Sequence, residues 1–368
     1  MFSWEDSREP LGKCSQCLDQ DAWLRCTECW DSSPHCMQCH LAAHRHHWFH
    51  WVEARKDGDD FWKRHDLRSI NFIIRLGHGG QACPSRGNWL APSKIAIAHT
   101  NGIHHCLVTF CHCPHAASVP CQLIQERIWP ATLEQPQTAF TTPLLTLYDH
   151  LWNVSNVNVY DFIDVLQRLT NSAFPDEVSD PYDAFRRVHR MFEHLTMKKR
   201  AGHYHSVNIP NRCDSDLTVA CLTCPLPGVN LPPDWAQEKR APCVLRYIYR
   251  HNLGVDACHG MPKRTKNDDK HDRALSEGQG FMIKLSDMKE MVEESFKNDD
   301  DRVVSCTFIH ETMPLTLTKT HTCSSFKVAR AQRLGKFRTV DISGVAAITC
   351  RHTFFFYQGV IDLISGER

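Results

Sequence analysis

No apolar run in this chain of 368 residues approaches the roughly 20 needed to span a bilayer, so the sequence offers no membrane-spanning helix. Net charge is also missing. Lys and Arg together number 42 against 42 Asp and Glu, so the chain as a whole lacks the positive balance of a nucleic-acid binder, and any basic surface has to be local. The opening Met1-Phe2-Ser3-Trp4-Glu5-Asp6 has neither the basic start nor the apolar stretch of a secretory signal. The expected setting is intracellular and reducing, where thiols stay free for metal instead of pairing as cystines. What the chain has in quantity is 19 cysteines and 24 histidines, counts that imply several metal sites or drift from a functional ancestor. With 42% hydrophobic and 23% charged residues it can bury cores, and its length suggests two or three domains.

The first fifty residues hold three C-x2-C pairs followed by spaced histidines: Cys14, Cys17, Cys26, Cys29, Cys36, Cys39, then His44 and His50. A C-x2-C pair on a tight turn aims two sulfurs at one ion, and these eight ligands suffice for two tetrahedral Zn2+ ions. The string reads most naturally as a cross-brace, with Cys14, Cys17, Cys36 and Cys39 on one ion and Cys26, Cys29, His44 and His50 on the other. A sequential pairing, with the first four cysteines on one ion, is the competing topology. His40, His46 and His47 are near enough to replace either histidine. Residues 48–62 read as an aromatic, charged linker that folds back on this module.

A new unit starts at Asp66. Residues 67–76 are apolar and fit a helix or a strand. The segments 95–100 and 103–110 are rich in β-branched and apolar residues and are separated by Asn101-Gly102, the signature of a two-residue hairpin turn. The hairpin exit delivers Cys111-His112-Cys113, which with His78 and Cys83 makes a third zinc site plausible in chemistry. Cys106, Cys121 or His112 can substitute, and buried free thiols are the plainer alternative. From Gln122 to His205 the apolar spacing turns helical. Leu144, Leu145, Leu147, Tyr148, Leu151 and Trp152 form one stripe, and Phe162, Ile163, Val165, Leu166 and Leu169 another. Ser179-Asp180-Pro181 marks a helix entrance. The helix beyond it carries Arg186, Arg187, Arg190, Lys198, Lys199 and Arg200, ordinarily a solvated face and, as the minority reading, a phosphate contact. Cys221 and Cys224 form another C-x2-C pair, with Cys213, Cys243, His203 and His205 as candidate partners. Residues 289–301 read as an acidic helical surface, and 312–322 as a threonine-rich, proline-broken stretch.

Several strings together resemble one family. His44 and His50, then Leu76-Gly77-His78 with Cys83-Pro84, Asn101-Gly102-Ile103, Phe110-Cys111-His112-Cys113, Trp129-Pro130-Ala131-Thr132 and Ala139-Phe140-Thr141-Thr142 are similar to the cysteine-cluster domain of KDZ (Kyakuja, Dileera, Zisupton) transposases. The segments 221–232 and 344–352, with Asp362-Leu363 and Gly366-Glu367-Arg368, resemble the start of that family's transposase region. The resemblance implies a DNA transposon of eukaryotes, fungi above all, and a nuclear protein whose partners are transposon-end DNA and, through the zinc module, other proteins. It also implies a DDE-type catalytic domain of ribonuclease-H fold, whose acidic triad holds Mg2+. Asp256, at the end of an expected strand over 245–256, matches the first catalytic aspartate, although Cys258 and His259 replace the family's asparagine and phenylalanine, Pro262 disfavours a long strand, and Cys350-Arg351-His352 is one residue short of the expected C-x-R-H form. The family's later acids lie beyond the G-E-R string, and neither Asp341 nor Asp362 matches a triad position. The expectation is therefore an N-terminal fragment or degenerate copy, without turnover as this chain, and with its last strands, 345–349 and 353–363, exposing apolar edge. The expected fold is multi-domain α+β: a cross-brace zinc module at 1–62, a zinc-supported hairpin with helices at 63–210, and a partial ribonuclease-H-like mixed sheet at 211–368. The alternative is a zinc-dependent protein-interaction module without nucleic-acid activity.

Overall fold

The computed structural model describes residues 11–56, 59, 61–85, 87, 91–203, 205, 216–235, 249–258, 263–264, 275–291, 340–342 and 344–363. The chain divides into two compact units, Met1–Phe192 and Glu193–Arg368. Among the described residues, no helix is long and apolar enough to cross a membrane.

The first unit begins with a small antiparallel sheet of β1 (Leu24–Cys26), β2 (Val52–Ala54) and β3 (Lys63–His65), with the helix α1 (Met37–Ala43) between β1 and β2. The aromatic stretch after His50 thus folds back as a strand of the module, pairing with both neighbours. The main sheet has five strands in the order β4-β6-β5-β8-β7: β4 (Ile73–Arg75), β5 (Ser93–His99), β6 (Gly102–Thr109), β7 (Ile128–Pro130) and β8 (Thr138–Thr141). The Asn101-Gly102 hairpin is present, pairing Ile97 with His104 and Ala98 with Ile103. The ambiguous stretch 67–76 resolves into a turn followed by β4, which runs parallel to β6.

Alternation along β5 sends its side chains to two different cores. Ile95 and Ile97 join Leu24, Val52, Ile74, Cys106 and Leu123 on one face, so the module and α2 (Val119–Gln125) pack there. Ala98 joins Ile103 and Phe140 on the other, beneath α3 (Thr142–Ser155), α4 (Val159–Thr170) and the start of α5 (Tyr182–Arg200). Each of these three helices begins at a start signal in the sequence. Pro143 sits in the first turn of α3, Asn158 accepts from the Asp161 amide at the head of α4, and Asp180 accepts from the Tyr182 amide at 2.9 Å. The start of α5 buries Phe185, Val188, His189 and Phe192 and turns Arg186, Arg187 and Arg190 outward, the amphipathic pattern of a surface helix.

In the second unit, β9 (Leu253–Cys258), β12 (Gly344–Cys350) and β13 (Phe355–Leu363) form an antiparallel sheet in the order β13-β12-β9. A separate short pair joins β10 (Lys263–Arg264) to β11 (Val340–Ile342). The strand expected over 245–256 begins at Leu253, and 241–248 lie outside the described residues. Val255 is 72% exposed and Leu253 59%, so the sheet carries bare apolar side chains. Residues 292–301 and 312–322 also lie outside the described residues.

Candidate metal centres

A zinc ion held tetrahedrally by thiolates at about 2.3 Å sets sulfur–sulfur edges of about 3.8 Å, and an imidazole at about 2.0–2.1 Å sets sulfur–nitrogen edges of about 3.6 Å. Among the described residues, four groups of Cys and His meet that requirement in outline, each with its ligand atoms within 4.8 Å of one another.

The first group is Cys14, Cys17, Cys36 and Cys39. The turn after Cys14 closes by the Leu18 amide donating to the Cys14 carbonyl at 2.9 Å, with Leu18 in the left-handed region at φ 59°. Cys36 is the N-cap of α1 and Cys39 lies in its first turn. The Cys17 and Cys36 sulfurs are 3.9 Å apart. Burial pushes the Cys14 thiol up, but the amides of Cys17, Cys36 and Gln16 outweigh it and bring it down to about 6, whereas Cys39, hydrogen-bonded to Cys36 and beside further thiols, is pushed up to about 12. Cys14 and Cys39 are thus driven in opposite directions, a conflict of charge that a divalent cation relieves.

The second group is Cys26, Cys29, His44 and His50. Amides of Glu28 and Cys29 donate to the Cys26 sulfur at 3.4 and 3.3 Å. Nε2 of His44 lies 3.4 Å from the Cys29 sulfur, and Nδ1 of His50 lies 3.5 and 3.4 Å from those of Cys26 and Cys29. His44 is the C-cap of α1, and its Nδ1 donates to the His40 carbonyl at 2.9 Å. A carbonyl can only accept, so that contact fixes the tautomer and frees the Nε2 lone pair for metal. The grouping is the interleaved one, and the helix α1 carries ligands of both groups at its two ends. His40 stacks on His44 at 4.2 Å with both ring nitrogens buried and without a hydrogen-bond partner among the described residues, while His46 and His47 are exposed.

The third group is His78, Cys83, Cys111 and Cys113. Nε2 of His78 stands 3.2 and 3.4 Å from the sulfurs of Cys111 and Cys113, and the Cys83 and Cys113 sulfurs are 3.7 Å apart. The His112 amide donates to Cys83 and the Cys113 amide to Cys111. Gly77, at φ +75°, makes this approach possible, because a Cβ there would sit 3.2 Å from that of Cys111. Sequence reasoning missed the residue that holds the loop. Buried Gln122 of α2 accepts from the Cys111 amide at 2.8 Å and donates to the carbonyls of Cys111 and Ala117 at 3.0 and 2.7 Å. Cys106 is buried in the sheet core, where burial and then Asp66 push its thiol up to about 12, and Cys121 is exposed.

The fourth group contains Cys221 and Cys224, and their partners differ from those expected. Cys350 and His352 complete it. His203 instead engages the Asp216 carbonyl, His205 stands outside the group, and Cys213 and Cys243 lie outside the described residues. Only proximity in the fold reveals this set, since no local spacing links residues so distant in sequence.

The zinc module is held to the main sheet by the hairpin tip. The Asn101 amide group donates to the Phe49 carbonyl at 2.7 Å and to Glu28, while its backbone carbonyl accepts from the Trp51 indole at 2.9 Å. His104 donates through Nε2 to Asn101 Oδ1 at 2.9 Å and stacks on Trp51 at 4.1 Å. Over the same indole lies the Arg64 guanidinium at 4.7 Å, which donates to the carbonyls of Leu169 and Thr170 at 2.9 and 3.3 Å. Burial lowers His104 to about 3, with lesser contributions from His99, Arg64, His105 and His50, so it is held neutral.

Asp256 lies exposed on β9, opposite Ala347 of β12, with its carboxylate accepting from the Ala257 amide at 2.8 Å. Asp362 of β13 is paired with Val345, one strand further away. Among the described residues, no group of three metal-ligating side chains includes either acid.

Comparison with known families gives two matches. Residues 67–173 match the family described as CxC2 like cysteine cluster associated with KDZ transposases. Residues 249–368 match the Kyakuja-Dileera-Zisupton transposase family. The first match holds the main sheet and the third group; the first two groups precede it, and Cys221 and Cys224 fall between the matches. No curated protein and no solved structure matches the chain.

Proposed function

The chain belongs to the KDZ transposase family, and from that premise we propose that it is a zinc-organised, DNA-associated transposase-derived protein of a eukaryotic, fungal-type element that acts in the nucleus without DNA cleavage of its own. The residues suit zinc in both donor type and spacing. Three ions would be held in the first unit: by Cys14, Cys17, Cys36 and Cys39; by Cys26, Cys29, His44 and His50; and by His78, Cys83, Cys111 and Cys113. Zinc supplies a closed, structural coordination at such sites. The DNA-facing surface is assigned to α5, whose outward Arg186, Arg187 and Arg190 leave the apolar stripe to the core.

The reading of the second unit as the opening of a ribonuclease-H-like sheet is supported by three antiparallel strands in the order β13-β12-β9, with Asp256 on the strand first in sequence. The observation that supports this part of the reading is that, among the described residues, no group of three metal-ligating side chains includes Asp256. Two-metal cleavage requires several carboxylates around one substrate phosphate, and the described residues offer Asp256 no such company, so they do not fit Mg2+ there. A second reading, a zinc-dependent protein-docking module, is favoured by Trp30, which is fully exposed beside Cys29.

Duplex binding across a salt series, paired with a cleavage assay in Mg2+ and Mn2+, tests the proposal. Affinity that falls steeply with salt, and loses slope in Arg186→Ala/Arg187→Ala, is expected without cleavage. Nicking abolished by Asp256→Asn would overturn the absence of turnover, and salt-insensitive or undetectable duplex binding would favour the docking module.

A further inference from the structure

The fourth group is unlike the others in what it joins. Cys221 and Cys224 lie on one turn, Cys350 ends β12, and His352 sits in the connection to β13, so ligands 128 and 131 residues apart in sequence converge. Nδ1 of His352 is 3.6 Å from the Cys221 sulfur and 3.5 Å from that of Cys224, the edges of a tetrahedral sulfur–nitrogen site. The three thiols are 7%, 4% and 3% exposed and make up the buried cluster of this region, with Phe356 packed against them. So small an apolar cluster gives a segment of irregular chain little reason to stay docked on a sheet.

The surrounding backbone is organised around the sulfurs. Asn230 donates to the carbonyls of Leu222 and Cys224 at 2.9 and 2.7 Å and accepts from the Leu226 amide at 2.6 Å, which holds the turn that presents Cys221 and Cys224. His251, just ahead of β9, donates to the Pro225 carbonyl at 2.8 Å. On the other side, Cys350 exchanges backbone hydrogen bonds with Phe354 and Thr353 at 2.9 and 2.8 Å, and Thr353 takes φ 67°, so the chain doubles back and brings His352 over the thiols. The Arg351 amide donates to the Asn252 carbonyl at 3.1 Å, tying the same turn to the head of β9.

We propose that Cys221, Cys224, Cys350 and His352 bind a fourth, structural Zn2+ that staples the 221–230 segment to the end of the β13-β12-β9 sheet. Cys221 and Cys224 lie outside both family matches, and the site stands independently of any DNA-directed role. Leu253 is the register partner of Cys350, so the staple also fixes the start of the strand that carries Asp256.

The test uses the reduced, full-length chain. Thiol alkylation mapped by mass spectrometry is expected to spare Cys221, Cys224 and Cys350 until a chelator is added, and then to label all three together. Cys221→Ser/Cys224→Ser should bind one metal equivalent fewer than the parent. Should that variant fail to fold, His352→Cys provides the second arm, because it keeps the metal count while its Co2+-loaded absorption gains thiolate character. Labelling of the three thiols that ignores chelator, or a disulfide among them, would overturn the site, as would an unchanged metal count in the double variant or an unchanged Co2+ spectrum in His352→Cys.

Discussion

Gln122 shows how much of a metal site rests on a residue that binds no metal. Its side chain satisfies both backbone groups of Cys111 from within a buried position, so Gln122→Ala would leave those groups bare at a cost of about 1–3 kcal/mol. The variant is expected to lose metal from the third centre to a chelator faster than the parent, while the first two centres keep theirs; equal release rates would contradict the role. His104 makes a different prediction. Its folded-state value of about 3 lies below the ordinary 6.5, so its contribution is fully present above pH 6.5 and is lost as pH falls below that toward 3, at up to about 1.4 kcal/mol per pH unit. Urea denaturation between pH 7.5 and 5 should show a shallower decline in His104→Phe than in the parent. At this scale the ligands on C-x2-C turns are legible in the sequence because one short turn encodes two of them. Gln122 and the pairing of Cys221 with Cys350 are not legible, because the first is an ordinary polar residue on a helix and the second depends on the whole intervening chain.

Among the elements, α1 and the hairpin tip depend most on their surroundings. A helix of seven residues is too short to persist alone in water, yet α1 has a candidate metal centre at each end. Chelation should therefore remove the amide hydrogen-exchange protection of residues 37–43, and protection unchanged by chelator would contradict the coupling. At the tip, Gly102 takes φ +136°, and a Cβ there would meet Thr170 Oγ1 and the Trp51 ring at 2.9 Å. Gly102→Ala should destabilise the first unit by about 2 kcal/mol or more, whereas Gly12→Ala, with nothing within 4 Å, should change it by no more than about 0.5 kcal/mol. Thermal unfolding of the two variants checks the contrast. The hairpin is readable from Asn101-Gly102 because that dipeptide determines its own turn. The second duty of Asn101, bonding Phe49 and His104, has no local signal, and the apolar stretch 67–76 fits either period until β6 supplies its partner.

For the whole molecule, the Cys/His groups, if they hold metal, would take a structural share that a larger apolar core would otherwise carry. The first unit has two cores, one on each face of the five-stranded sheet, and three Cys/His groups around its edges. In the second unit, the buried cluster at the sheet end is built of thiols. Asp256 lies on β9, within the stretch that matches the transposase family, and the described residues gather no group of metal-ligating side chains around it. If all four groups hold zinc, their donors average three sulfurs and one nitrogen per ion. Zinc K-edge absorption on the reduced, full-length protein measures that average directly. The account predicts a shell of about three sulfurs near 2.3 Å and one nitrogen near 2.0 Å; a shell dominated by oxygen and nitrogen, or protein that retains no zinc, would contradict it.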